Sequence, residues 1–339
     1  MKKLMLWFCG WAVASASLAQ GPARACENLV FEGAGIRGLA YAGVLHQLEA
    51  AGLTDSLKRV GGTSAGAITA LLVALGYRAA EVEQLVGQTR FQQFNDGRWM
   101  FVGGLARLWG RYGWYRGRAA DRWLGQLIAA KAGDADLTFA QLKERGFREL
   151  RVTGTCLNQQ KLLVFSAETY PHMKVRDAVR ISISVPLYFE AVFIDQSGAV
   201  CPKPNGRPGL DVVVDGGLLA NYPIFLFDSL AADPLHRPVR YPNPHTLGVR
   251  IDSEAQIAQD SLGRELAPQP IQKLPQYLGA FYNLVIETMN RSQLTPADWE
   301  RTISVASVGI APKVRRLSPA EKARLTASGA QAVQRFLGQ

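Results

Sequence analysis

Ser64 stands at the centre of Gly62-Thr63-Ser64-Ala65-Gly66, a G-x-S-x-G pentapeptide. A serine hydroxyl is a weak nucleophile until its surroundings expose and activate it. The flanking glycines permit a tight turn that lifts the hydroxyl clear, provided a strand precedes it and a helix follows. The competing role is a serine that caps the following helix. A second segment, Gly33-Ala34-Gly35-Ile36-Arg37-Gly38, lies between an apolar run and a helical pattern. Its small residues let the backbone approach a ligand, and the helix that follows aims N–H groups and a positive dipole end at it. That suits a dinucleotide pyrophosphate or an oxyanion. A nucleotide site would want an acid about 20 residues on, at the end of the second strand. Here that strand ends in Val60-Gly61-Gly62 and Asp55 precedes it, which favours the oxyanion. The third segment is Asp215-Gly216-Gly217, directly after the apolar run Val212–Val214. Open α/β sheets place their sites at the C-terminal ends of strands. An isolated aspartate there would more often be satisfied by turn N–H groups.

The elements that must hold these segments are legible from periodicity. Residues 28–31 form a short buried strand, and 38–51 carry Tyr41, Val44, Leu45 and Leu48 at helical spacing before the stop at Gly52. A second strand ends at Gly62. Residues 65–75 are apolar all round, as for a helix buried in an α/β sandwich. Residues 149–156 and 161–166 read as two strands joined by the polar turn Leu157-Asn158-Gln159-Gln160. Val175, Ala178, Val179 and Ser182 mark a helix, 211–214 and 246–251 are strands, and two helices close the chain near 271–291 and 318–337. Residues 201–208 and 237–244 are rich in Pro, Asn and Gly and read as loops. Strands alternating with helices predict an α/β fold, a three-layer sandwich with a mostly parallel central sheet.

Taken in order, Phe31-Glu32-Gly33-Ala34-Gly35-Ile36-Arg37-Gly38, Gly62-Thr63-Ser64-Ala65-Gly66 and Asp215-Gly216-Gly217 resemble the patatin-like phospholipases. Ala34 stands where that family usually has a second glycine. Val179-Arg180-Ile181-Ser182-Ile183-Ser184-Val185-Pro186 and Leu218-Leu219-Ala220-Asn221-Tyr222-Pro223 are similar to further segments of the family, and the resemblance covers about residues 28–251. It implies a serine acyl hydrolase with a Ser–Asp dyad. Ser64 would attack a lipid ester carbonyl and Asp215 would take its proton. N–H groups around Gly33, Ala34, Gly35 and Ile36 would hold the oxyanion, with Arg37 adding positive charge and Gly38 completing the loop. Gly62, Thr63, Ala65 and Gly66 would form the nucleophile turn, and Gly216 and Gly217 the turn after the aspartate. No metal or organic cofactor is implied. The expected reaction is phospholipase A or lysophospholipase chemistry, with a phospholipid membrane or lipid substrate as partner and no nucleic acid.

Two rival functions come from the residues themselves. Histidine is the commonest base for a serine, and Ser64, Asp215 and His245, with His236 as a substitute, follow the α/β-hydrolase order. Ser64 is early for that fold, and both histidines lie in Pro-rich sequence without a flanking signature. The other rival is a lipid-binding envelope protein that keeps the fold without turnover. Intact Ser64 and Asp215 weigh against it. His46 and His172 read as surface positions.

The remaining chain bounds location and access. Its 339 residues, 48% apolar and 19% charged, can build a large core and exclude a disordered chain. The net charge is +10. Lys2 and Lys3, the apolar run 4–13 and Ser17-Leu18-Ala19 predict a signal peptide over residues 1–19, with one domain over 20–339. That domain divides into a catalytic core at about 28–251 and a helical part at about 252–339. The export signal makes the expected location periplasmic or secreted. Cys26, Cys156 and Cys201 would remain, enough for one disulfide. Residues 98–118 interleave five arginines with Trp99, Phe101, Trp109, Tyr112, Trp114 and Tyr115 and hold no acid. Aromatic rings and arginines together suit a lid or membrane-docking surface as well as a core layer.

Overall fold

A computed structural model describes residues 26–97, 102–202, 209–233, 236, 238–263 and 265–338. The signal peptide expected at 1–19, and Arg98, Trp99 and Phe101, lie outside these. The strands of the central sheet are β1 (Asn28–Phe31), β2 (Arg59–Gly62), β3 (Glu149–Cys156), β4 (Lys161–Phe165), β5 (Val192–Ile194), β6 (Val200–Cys201), β7 (Asp211–Asp215), β8 (Thr246–Asp252) and β9 (Thr302–Ala306). Their order is β9-β8-β1-β2-β3-β7-β5-β6, with β4 also on β3. From β9 to β3 every pairing is parallel; β4, β5, β6 and β7 pair antiparallel. Burial on both faces is why β1 is apolar along most of its length; β8 instead alternates Leu247, Val249 and Ile251 with Thr246, Arg250 and Asp252, Arg250 entering a buried ion network.

Helices cover both faces. The helix Ala65–Ala74 is buried almost throughout and packs against β1, β2 and β3. Beside it lie Ala40–Ala50, Ala79–Gln88 and the C-terminal helix Pro319–Leu337. On the opposite face the turns Gly217–Ala220 and Ile224–Phe227 cover Val30 and Val164, and the helix Leu274–Arg291 packs outside them. This is the expected three-layer α/β sandwich.

Several details differ from the sequence reading. The part beyond residue 251 supplies β9 as well as helices, extending the sheet beside β8. Residues 238–241, read as loop, form a strand paired with 229–232. Cys26, Cys156 and Cys201 are free thiols. Register explains this: Cys26 precedes the N-terminal end of β1, whereas Cys156 ends β3, whose first residue is level with Asn28 through Arg59. Cys201 lies three strands from Cys156, roughly 14 Å away at normal strand spacing. A disulfide needs Cα atoms within about 7 Å.

The C-terminal helix docks on the first helix through glycines. A Cβ on Gly43 would lie 1.8 Å from the Thr326 carbonyl oxygen, and one on Gly329 would lie 2.0 Å from that of Ala40. Backbone atoms cannot yield as a flexible side chain can. Gly43→Ala gains up to about 1 kcal/mol in helix propensity but meets an overpacking cost of about 1–3 kcal/mol. The expected outcome is a lower thermal midpoint, read by circular dichroism. Gly76→Ala serves as the strain-only comparison, because its site is open but its backbone has φ +79°.

Candidate active site

The site forms where β1, β2 and β7 end. β2 ends at Gly62, paired with Val152, and Gly154 two residues further along β3 is paired with Asp215. A serine two residues beyond Gly62 therefore arrives level with Asp215 on the far side of β3. Ser64 has φ 52° and ψ −120°, a backbone that L residues rarely adopt. Such a conformation costs on the order of 1–3 kcal/mol and persists only where neighbours enforce it. Here they do. A Cβ on Gly66 would lie 2.3 Å from the Phe31 carbonyl oxygen and 2.5 Å from that of Glu32, so only glycine lets the turn close on β1. The Ser64 N–H donates to Ser182 Oγ at 2.9 Å. Thr63 Oγ1 bonds Thr153 Oγ1 and the Ala220 carbonyl, each at 2.6 Å.

Asp215 is buried at the end of β7. Its N–H donates to the Ser184 carbonyl at 2.9 Å, and Oδ1 accepts from the Gly217 N–H at 2.7 Å. The end of the helix Val175–Ser182 thus holds both residues, Ser64 through Ser182 and Asp215 through Ser184. Burial pushes the Asp215 carboxyl up from 3.8 to about 7, opposed by hydrogen bonds from the Gly217 N–H and the Ser64 side chain. The carboxyl therefore changes charge near neutral pH, with the serine beside it.

The glycine loop lies over this pair. A Cβ on Gly33 would be 3.3 Å from Ser64 Cβ, and one on Gly38 3.1 Å from Ala65 Cβ. Gly35 has φ +55° and begins a 3-10 turn, Gly35–Leu39. Its first N–H groups have no intrahelical partner. The Gly33 N–H is donated to the Asn221 carbonyl at 2.9 Å, which removes it from the expected oxyanion donors and leaves Ala34, Gly35 and Ile36. Arg37 Nε donates to the Ala34 carbonyl at 3.2 Å, so Arg37 braces the loop. Gly216 packs so closely on Thr153 that a Cβ there would lie 2.2 Å from Thr153 Oγ1.

Three residues were given no role by sequence reasoning. Asn221 Nδ2 donates to the Gly33 carbonyl at 3.1 Å and to Glu32 Oε1 at 3.3 Å. Asn290, buried on the helix Leu274–Arg291, accepts from the Asn221 N–H and donates to the Gly217 carbonyl at 3.3 Å. Glu32 is buried, and its Oε2 accepts from the Ile251 N–H at 2.8 Å. Burial raises its carboxyl, against the pull of Arg250. An acid ending the apolar strand Leu29-Val30-Phe31 was the visible signal for Glu32. Asn290 left none.

The histidines lie elsewhere. His245 immediately precedes Thr246, which pairs with Asn28, so it sits at the N-terminal end of the parallel strands, opposite Ser64. His236 is in the connection of the 229–241 hairpin, which is tied to that same end through Asn243 and Asp228. His46 faces Glu83 at 2.9 Å, and His172 is exposed. In the aromatic segment, Trp109 is 90% exposed on the helix Val102–Arg111. Trp114 instead stacks over Gly104.

Comparison with known proteins bears on the family and the fold. Residues 29–228 match the family described as patatin-like phospholipase. The chain belongs to the patatin-like phospholipase family. Within it, the chain is 32% identical to the uncharacterized protein YqhO of Bacillus subtilis over 216 residues, 61% of this chain and 68% of that protein. It is 28% identical to the uncharacterized protein R571 of Acanthamoeba polyphaga mimivirus, over 60% of this chain and 61% of that protein. The crystal structure of VipD from Legionella pneumophila shares the fold, with TM-score 0.55 and 17% identity over 93% of this chain and 67% of that one.

The Asp215 environment sets a stability test. Unfolded, the carboxyl titrates near its ordinary 3.8; folded, at about 7. Between those values the folded chain holds the extra proton, so wild-type stability falls as pH rises through the window. Asp215→Asn removes that loss. Urea unfolding at a series of pH values should find the variant gaining on wild type from pH 3.8 upward and levelling off above about 7.

Proposed function

We propose that this protein is a serine lipid acyl hydrolase acting on fatty acyl esters of phospholipids or lysophospholipids through Ser64 and Asp215. One arrangement carries this: a serine on an enforced turn, placed beside a buried carboxyl whose titration falls near neutrality, with the N–H groups that begin the 3-10 turn at Gly35 close by. Asp215 in its ionised form accepts the Ser64 proton as the hydroxyl oxygen attacks the ester carbonyl. The carbonyl oxygen becomes an oxyanion, stabilised by N–H groups from Ala34, Gly35 and Ile36. One such donor is typically worth about 3 kcal/mol. Collapse expels the lyso-lipid alcohol, which takes the proton from Asp215, and leaves an acyl-Ser64 ester. Water, deprotonated by Asp215, then releases the fatty acid and restores both residues. The chain's own residues supply every proton transfer in this scheme.

The same proposal includes export through the signal peptide of residues 1–19, placing the domain 20–339 in the periplasm or outside the cell. Among the described residues no helix is long and apolar enough to cross a membrane.

Acyl release from phospholipid vesicles and from a short-chain ester provides the test. Ser64→Ala and Asp215→Asn should each lose roughly 10³-fold or more in kcat/KM. A triple variant with His172, His236 and His245 changed to Ala should retain wild-type rates. Wild-type kcat/KM should rise with pH and level off above about 7, as Asp215 ionises. Loss of activity in a folded triple-histidine variant would move the protein to the histidine-dependent esterases. A wild-type chain that binds lipid without acyl release would favour the binding-protein alternative.

A further inference from the structure

The helix Leu274–Arg291 is oriented against the usual rule for amphipathic helices. Among its described side chains, the inward side carries Glu287, Asn290 and Arg291, with Ile286 the buried apolar one. Its outward side carries Leu274, Tyr277, Phe281, Leu284, Val285 and Met289, all exposed. Phe281 is 60% exposed and Leu284 56%. Their spacing of three and four residues aligns them along one stripe. The helix has no charged residue other than Glu287 and Arg291, which face the buried ion network, so the stripe is uncharged. A contiguous apolar stripe of this length on a chain's surface marks an interaction site.

The inward side of this helix adjoins the active site. Asn290, in the last turn of the helix, holds both the Gly217 carbonyl and the Asn221 N–H. A second exposed apolar group reaches the site from its other side. Val185 and Leu187 follow Ser184, whose carbonyl accepts the Asp215 N–H. The strand Leu187–Phe189 pairs with Gly113–Tyr115, immediately after the helix that exposes Val102, Leu105 and Trp109. Lys273, at the start of Leu274–Arg291, is an exposed cation; Arg111, at the end of Val102–Arg111, is exposed too but pairs with Glu190 at 3.8 Å, in a chain of net charge +10.

We propose that the helix Leu274–Arg291 docks the protein on an anionic phospholipid bilayer, with its apolar stripe in the interfacial layer. The choice of a lipid occupant rests on the hydrolase proposal above. An uncharged apolar stripe flanked by cations fits the acyl boundary beneath anionic headgroups. Docking through this helix brings ester carbonyls to Ser64 without requiring a lipid to leave the bilayer through water.

The test separates docking from turnover. A chain carrying Ser64→Ala is sedimented with vesicles of phosphatidylglycerol and phosphatidylcholine in equal parts, and with pure phosphatidylcholine. Each further variant is compared with this parent, so any contribution of residues 1–25 is common to both. The parent should bind the mixed vesicles more tightly than the neutral ones. Phe281→Ser and Leu284→Ser should each weaken binding about tenfold with an unchanged thermal midpoint. Should Phe281→Ser fail to fold, Tyr277→Ser one turn earlier is read in its place. Folded variants that bind like their parent, or equal binding to neutral vesicles, would overturn the proposal. So would light scattering that finds a dimer dissociated by Phe281→Ser while vesicle binding persists, since the stripe would then cover a second copy. In the active chain, absence of acyl release with vesicle binding intact would refute the hydrolase proposal alone.

Discussion

The backbone of Ser64 is the constraint on which the site depends. A residue at φ 52° with a side chain is held there by others. Gly66 lets the turn close on the carbonyls of Phe31 and Glu32, Ser182 takes the serine N–H, and Thr63 ties the turn to β3 and to the Ala220 carbonyl. Each of these partners belongs to a different element. The conformational strain is offset by packing spread over β1, β2, β3 and the helix Val175–Ser182. In exchange the hydroxyl is fixed beside Asp215 before any ligand arrives, which removes ordering entropy from the reaction.

A second set of contacts works through buried charge. Glu32 adjoins Gly33, and its carboxyl lies in a network with Arg250, Asp252, Asp260, Glu287 and Arg291. The acids outnumber the arginines, which is why burial and like charges raise Glu32 even with Arg250 beside it. Buried ion networks of this kind are poor sources of net stability, but losing one partner strands the others at a cost of about 3–5 kcal/mol. They fix geometry more than they add stability. Here the network fixes the strand end that launches the glycine loop. It also holds the helix Leu274–Arg291 by its polar side, and that is what leaves the apolar side of the helix outward. Asn290 extends the same polar anchoring to the Asp215 turn. The glycine loop, the aspartate turn and the outer helix are thus joined by hydrogen bonds through Asn221 and Asn290.

Much of this was legible without coordinates. Gly33, Gly35, Ser64, Gly66 and Asp215 announce themselves because close backbone approach and positive φ leave glycine as the tolerated residue, and an acid after a strand is a local pattern. The short buried strands, the apolar helix after Ser64 and the two closing helices follow from periodicity. The strand 302–306 escaped because a short run such as Thr302-Ile303-Ser304-Val305-Ala306 gains strand character only from pairing with β8. The hairpin strand 238–241 escaped because Pro238 and Pro242 imitate a loop. The possible disulfide was a compositional inference, and sheet register separates the three cysteines.

What the sequence alone determined was the identity of the candidate reacting groups and the local turns that expose them, since these depend on residues adjacent in the chain. Which of those groups meet was decided by tertiary structure. Ser64 and Asp215 are brought together by register through β3, and His245, the rival partner by type and order, is carried to the other end of the same strands. The Gly33 N–H, eligible by spacing, is already donated to Asn221. These outcomes rest on contacts between residues far apart in sequence, and no local pattern encodes them.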